Sequence, residues 1–156
     1  MKILFLDIDG VVVTSRSHVA LGKGSLMLSP DPIALGLVDR LCRETGAKIV
    51  LSSTWGPVYG AGAMRMWLTG HGVNPNHLFA EEHFLTPRNY LRSRRGQEVA
   101  DWLEEARERS QVIEAHVAID DDGDFADKSR LVQTLFDDGL SYSDYGRALE
   151  LLGGKQ

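Results

Sequence analysis

Apolar positions along the chain fall into short continuous runs separated by stretches of helical spacing. Lys2 to Ile8 (KILFLDI) is β-rich and apolar at both parities, which predicts a strand buried on both faces, and Gly10 punctuates its end. Ala47 to Leu51 (AKIVL) and Ala115 to Ile119 (AHVAI) read the same way, and a shorter strand is expected around Leu131 to Thr134. Helix patterns lie between these runs. Asp31 and Pro32 mark an N-cap and a first helical position. Ile33, Leu37, Leu41 and Cys42 then recur at helical spacing until Gly46. Val99, Trp102, Leu103 and Ala106 share one face of a helix after Gly96, and Tyr145, Ala148, Leu149 and Leu152 one face of a last helix. Two regions are irregular: Val11 to Leu28 reads as a loop or small flap. Residues from about 56 to 94 read as a small insertion whose one short helix carries Met64, Trp67 and Leu68.

Buried strands alternating with amphipathic helices predict a three-layer α/β/α, Rossmann-like domain with a mostly parallel central sheet. The pattern supports one domain over residues 1–156, with no repeat, no linker and no large cap domain. Ligands of such sheets bind just beyond the carboxyl ends of the strands.

Composition narrows the class. The chain has 43% hydrophobic and 25% charged residues, enough for a proper core without disulfides. Seventeen basic and 22 acidic residues leave a net charge of −5, which excludes a generic basic nucleic-acid coat. The lone cysteine, Cys42, rules out an intramolecular disulfide and reads as a buried, inert thiol in a reducing compartment. No apolar run approaches the ~18 residues of a membrane span, and the N-terminal run stops at Asp7 and Asp9, unlike a signal peptide. A cytoplasmic protein without membrane association is expected.

Four polar clusters stand at strand ends or helix starts: Asp7-x-Asp9-Gly10, Ser52-Ser53, Arg94-Arg95-Gly96 and Asp120-Asp121-Asp122. Carboxylates at the tips of buried strands are costly unless a cation or hydrogen bonds compensate them. Oxygen-only ligands at two strand tips point to Mg²⁺. A hydroxyl and an arginine nearby match the needs of a phosphoryl group's equatorial oxygens.

In order and spacing these clusters resemble the four motifs of the haloacid dehalogenase (HAD) superfamily, specifically its phosphatases. LFLDIDGVV resembles the first motif, KIVLSS the second, RRGQEVADWL the third and VAIDDD the fourth, together spanning Met1 to about Asp124. Val11 departs from the pattern, standing where many members carry Thr. The Ile-Asp-Asp strand end is similar to that of small, capless HAD domains of RNA-repair and phage polynucleotide kinase-phosphatase proteins. The resemblance implies roles. Asp7 would attack phosphorus and form an aspartyl-phosphate, and Asp9 would protonate the leaving oxygen and later accept the proton of the hydrolytic water. An acid at this second position separates the phosphohydrolases from the dehalogenases, which have no leaving alcohol to protonate. Ser52 and Arg95 would hold the phosphoryl oxygens, with Gly10, Ser53 and Arg94 as further substrate contacts. Asp7, the Asp9 backbone carbonyl and Asp121 would hold Mg²⁺, with Asp120 in support through water.

Alternatives stand beside several of these assignments. Ser53 competes with Ser52, and Arg94 with Arg95. The triple Asp also fits an Asx-turn, and Asp124 fits a helix cap. Trp55 fits either a substrate wall or the core, and the five histidines show no metal-ligand spacing. The activity expected is Mg²⁺-dependent phosphomonoester hydrolysis. A phosphotransferase with the same site and a non-catalytic phosphate-binding module are the rivals. Arg88, Arg92, Arg94 and Arg95 concentrate four guanidinium groups within eight residues, which suggests a nucleotide or a nucleic-acid end as substrate.

Overall fold

A computed structural model describes residues 1–87 and 94–154. Arg88 and Arg92 of the arginine-rich stretch lie outside these described residues. Strands β1 (Lys2–Leu6), β2 (Lys48–Leu51), β3 (Ala115–Asp120) and β4 (Leu131–Gln133) form one parallel sheet in the order β2-β1-β3-β4. β1 is central, and its Ile3, Leu4, Phe5 and Leu6 are fully buried, as a strand covered on both faces must be. The fold is the three-layer α/β arrangement expected.

Helix α2 (Pro32–Thr45) crosses from β1 to β2. Its N-cap Asp31 accepts the backbone N–H of Ile33 at 2.8 Å and of Ala34 at 3.2 Å, and Gly46 closes it at φ +73°. The buried face is Ala34, Leu35, Val38, Leu41 and Cys42. Ile33, expected on that face, is 71% exposed, because the stripe rotates toward positions 34 and 35 in the first turn. Helix α5 (Arg95–Glu108) crosses from β2 to β3 and lays Trp102 edge-on against Phe5, ring centroids 5.4 Å apart. Helix α6 (Tyr142–Leu151) packs against α2, β3 and β4. Leu152, counted with its apolar face, is instead the C-cap and fully buried.

The flap expected to be irregular contains a helix, α1 (Ser15–Leu21), and a 3-10 turn, Leu26–Leu28. Thr14 and Ser17 form a capping box, and Gly22 ends the helix at φ +58°. Ser17 is the only buried residue of the helix, and Val19 is 80% exposed, so no apolar stripe advertised it.

The insertion also differs from expectation. It holds two helices, α3 (Trp55–Tyr59) and α4 (Ala61–Gly70), separated at Gly60, where φ is +84°. After α4 the chain returns along the outer edge of β2: Phe79 N–H donates to Ile49, Thr86 N–H to Leu51, and Leu51 N–H to Phe84. The insertion thus seals an exposed sheet edge. Among the described residues it forms no second sheet and no cap.

Candidate active site

Sheet register assembles the site. Leu6 pairs with Leu51 on one side and Ile119 on the other. The next residues, Asp7, Ser52 and Asp120, therefore stand abreast at the carboxyl edge. Two further ladder bonds hold them there: Asp7 N–H to Ile119 O at 3.1 Å and Ser52 N–H to Leu6 O at 2.8 Å. All three are buried, at 4%, 2% and 1% exposure.

Beyond Asp7 the chain must turn at once, and Gly10 makes the turn at φ +68°. A Cβ there would lie 2.6 Å from Asp121 Cγ, so only glycine lets the loops after β1 and β3 come together. The Gly10 carbonyl accepts Thr134 Oγ1–H at 2.7 Å, which ties the turn to the residue after β4.

Arg95, the first residue of α5, reaches into the cluster. Its guanidinium lies 3.7 Å from Asp7 Oδ1, 3.7 Å from Asp120 Oδ2 and 3.2 Å from the buried Glu98. Burial opposes its charge, but Asp7, Asp120 and Glu98 together hold its pKa above the ordinary arginine value. Burial pushes the acids the other way: Asp7 rises to about 6 despite Arg95, and Asp120 to about 8 with Asp7 adding to the effect. Burial likewise raises Asp121. One guanidinium does not neutralise this many crowded carboxyls.

A cation would. Oxygens of Asp7, Asp120 and Asp121 all lie within 4.8 Å of one another. Asp7 Oδ1 and Ser52 Oγ are buried with no hydrogen-bond partner among the described residues. An orphaned carboxylate oxygen within an all-oxygen donor set fits a hard divalent cation.

A family model for the HAD domain in Swiss Army Knife RNA repair proteins matches residues 3–145. The chain belongs to this HAD family. Membership places its chemistry among hydrolysis and phosphoryl transfer. No curated protein and no solved structure matches the chain.

The candidate site is a cavity of about 530 Å³ bordered by Asp7, Asp9, Thr54, Arg95, Asp120 to Gly123, Gln133 and Phe136. Ser52 and Ser53 are buried and stand outside its lining, and the Ser53 hydroxyl acts against burial in lowering the Asp7 pKa. Gly10 shapes the cavity through its turn. Arg94 is the N-cap of α5 and borders a separate cavity with Gln97, His116 and Arg130.

Three supporting contacts have partners that sequence reasoning did not identify. Trp55 Nε1–H donates to Asp9 Oδ2 at 2.8 Å, across 46 positions. Asp124 does cap a helix, but the helix is α5: its carboxylate accepts the Arg95 backbone N–H at 3.0 and 3.2 Å. Glu98, three residues into α5, braces the Arg95 guanidinium. Asp124 was legible as a helix cap but not as the cap of this helix, Trp55 had a hint in its place directly after the Ser52-Ser53-Thr54 strand end, and Glu98 had none.

Proposed function

We propose that this HAD domain is a Mg²⁺-dependent phosphomonoesterase acting through an aspartyl-phosphate. The observation that carries the reading is the Asp7 carboxyl: buried, one oxygen without a hydrogen bond, and facing the Arg95 guanidinium at 3.7 Å. That is the condition of a nucleophile. A purely structural carboxylate at this depth would have both oxygens hydrogen-bonded.

Arg95 and Ser52 bind the equatorial phosphoryl oxygens and fix phosphorus in line with Asp7. An Asp7 oxygen forms the bond to phosphorus as the bond to the leaving oxygen breaks, and Asp9 delivers its proton to that oxygen. Asp9 then removes a proton from a water that attacks the acyl phosphate, which restores both carboxyls. Mg²⁺ would be held by Asp7, Asp120, Asp121 and the Asp9 carbonyl, where it would neutralise negative charge on the phosphoryl group.

The family's description and the shape of the entrance support a nucleotide or nucleic-acid end as substrate. Asp9 also borders an alcove of about 310 Å³ walled by Val13, Val19, Leu26 and Phe136. An apolar wall beside Asp9, the proton donor of this reading, suits the sugar-base portion of a nucleotide or nucleic-acid end. The expected test is phosphate release from nucleoside monophosphates and phosphate-ended oligonucleotides, with and without Mg²⁺. Release that needs both Mg²⁺ and Asp7 supports the reading. Folded protein that releases no phosphate from any of them overturns it.

A further inference from the structure

Trp55 is a large side chain at the edge of an active site, yet it is only 8% exposed. Its ring is fixed by edge contacts with Tyr59 and Trp67, centroids 5.8 and 5.6 Å away. Trp67 is itself tied to the flap, because its indole N–H donates to the Met27 carbonyl at 2.8 Å. The one polar atom of Trp55 ends on Asp9 Oδ2 at 2.8 Å. A half-buried carboxyl at a cavity rim therefore meets a rigid partner.

An indole nitrogen donates and never accepts. Asp9 Oδ2 is therefore the acceptor, and it accepts far better as a carbonyl or carboxylate oxygen than as the hydroxyl of a protonated carboxyl. When Asp9 is protonated, the proton belongs on Oδ1. Rotation of the carboxyl about its terminal torsion, which is soft in an unrestrained aspartate, would break the bond to Trp55. We propose that Trp55 is a positioning residue: it locks the Asp9 rotamer and assigns the transferable proton to Oδ1. The inference rests on the phosphatase reading above. In the first step the Oδ1 proton passes to the leaving oxygen as its bond to phosphorus breaks; in the second, Oδ1 takes a proton from water.

The locking matters in proportion to the leaving group's need for a proton. An alkoxide leaves poorly without one, whereas nitrophenolate leaves readily unprotonated. The experiment compares benzyl phosphate with para-nitrophenyl phosphate in wild type and Trp55→Phe, which keeps the packing ring and removes the donor. The readout is kcat/KM, which reports the step that expels the leaving group. General-acid transfer contributes ~10²–10⁴-fold, so Trp55→Phe should lose at least about tenfold more on benzyl phosphate than on the nitrophenyl ester. Equal losses on the two esters would make Trp55 merely structural and overturn the proposal. Wild type that releases no phosphate from these esters, from nucleotides or from oligonucleotides would instead overturn the phosphatase reading; if it accepts nucleotides alone, the indole resonances described next decide the proposal.

Should Trp55→Phe not fold, the indole resonances of Mg²⁺-loaded wild type and Asp9→Ala decide the matter. Loss of the Asp9 acceptor should move the Trp55 N–H signal upfield and speed its solvent exchange, leaving Trp67 in place. An unmoved Trp55 signal overturns the proposal.

Discussion

The carboxylate of Asp124 accepts the backbone N–H of Arg95, joining the loop after β3 to the first turn of α5 across 29 positions of chain. The N-cap residue of α5, Arg94, makes no side-chain cap of its own. The loop therefore supplies the missing acceptor, at the point where the helix dipole also favours a negative charge. The same loop lies so close that a Cβ on Gly96 would sit 2.8 Å from Phe125 Cα. The arginine that faces Asp7 is thus anchored by the loop that carries Asp121.

Removing that anchor should cost both stability and positioning. Asp124→Ala is expected to lower stability by about 1 kcal/mol, the usual loss for a helix cap. Because the cap fixes Arg95, KM for phosphomonoesters should also rise. Urea unfolding and steady-state kinetics check the two effects. Unchanged KM alongside the stability loss would show that Arg95 keeps its place without the cap.

Gly10→Ala combines a left-handed φ with a collision against Asp121. A residue with a Cβ costs about 1–2 kcal/mol in that backbone region, and relief of the contact must displace Asp121. Thermal melts should show the loss, and a Mg²⁺ titration should show weaker binding. Near-wild-type Mg²⁺ affinity would mean that Asp121 is not needed for the ion.

Without a divalent cation, stability should fall as pH rises. Asp7 at about 6 and Asp120 at about 8 both lie above the unfolded carboxyl value. Their contribution is complete below about pH 4 and is lost as each folded-state pKa is passed. Thermal midpoints in chelator should therefore drop between about pH 5 and about pH 9, and Asp120→Asn should flatten the slope. Ligands must be deprotonated to bind metal, so Mg²⁺ should raise the midpoint more at the alkaline end. Midpoints in chelator that hold level or climb over this range would contradict the assignment.

Asp7→Asn should abolish turnover while leaving the fold intact, since the amide keeps the volume but cannot act as a nucleophile. Phosphate release and circular dichroism measure the two sides. Wild-type-like release by the purified variant would remove Asp7 as the nucleophile.

If nucleic-acid ends are the substrate, replacing Arg88 and Arg92 should raise KM for phosphate-ended oligonucleotides and spare a small aryl phosphate. Several phosphate contacts would also make oligonucleotide KM rise steeply with salt. Equal responses of both substrates, or none to salt, would count against a nucleic-acid end.

Local chemistry in the chain sufficed for a good deal of this domain. β1, β2 and β3 are continuous apolar runs that suit burial on both faces, and Asp31-Pro32 and Gly46 punctuate α2 by rules that depend on near neighbours alone. The acids after β1 and β3 and the serines after β2 were legible for the same reason, since a polar residue directly after a buried strand must emerge at the sheet edge. Helix α1 was not, because its exposed face carries no period and its Thr14-Ser17 cap is a short polar signal within a polar segment. Tertiary structure alone decided which of the adjacent Arg94 and Arg95 meets the acids. Neighbouring side chains at a helix start point in different directions, so the docking of α5 through Trp102 turns Arg95 toward Asp7 and leaves Arg94 beside another cavity. The partners of Asp9 and Arg95 lie 46 and 29 positions away, and no local pattern encodes a contact that exists only once the sheet has brought those loops to one edge.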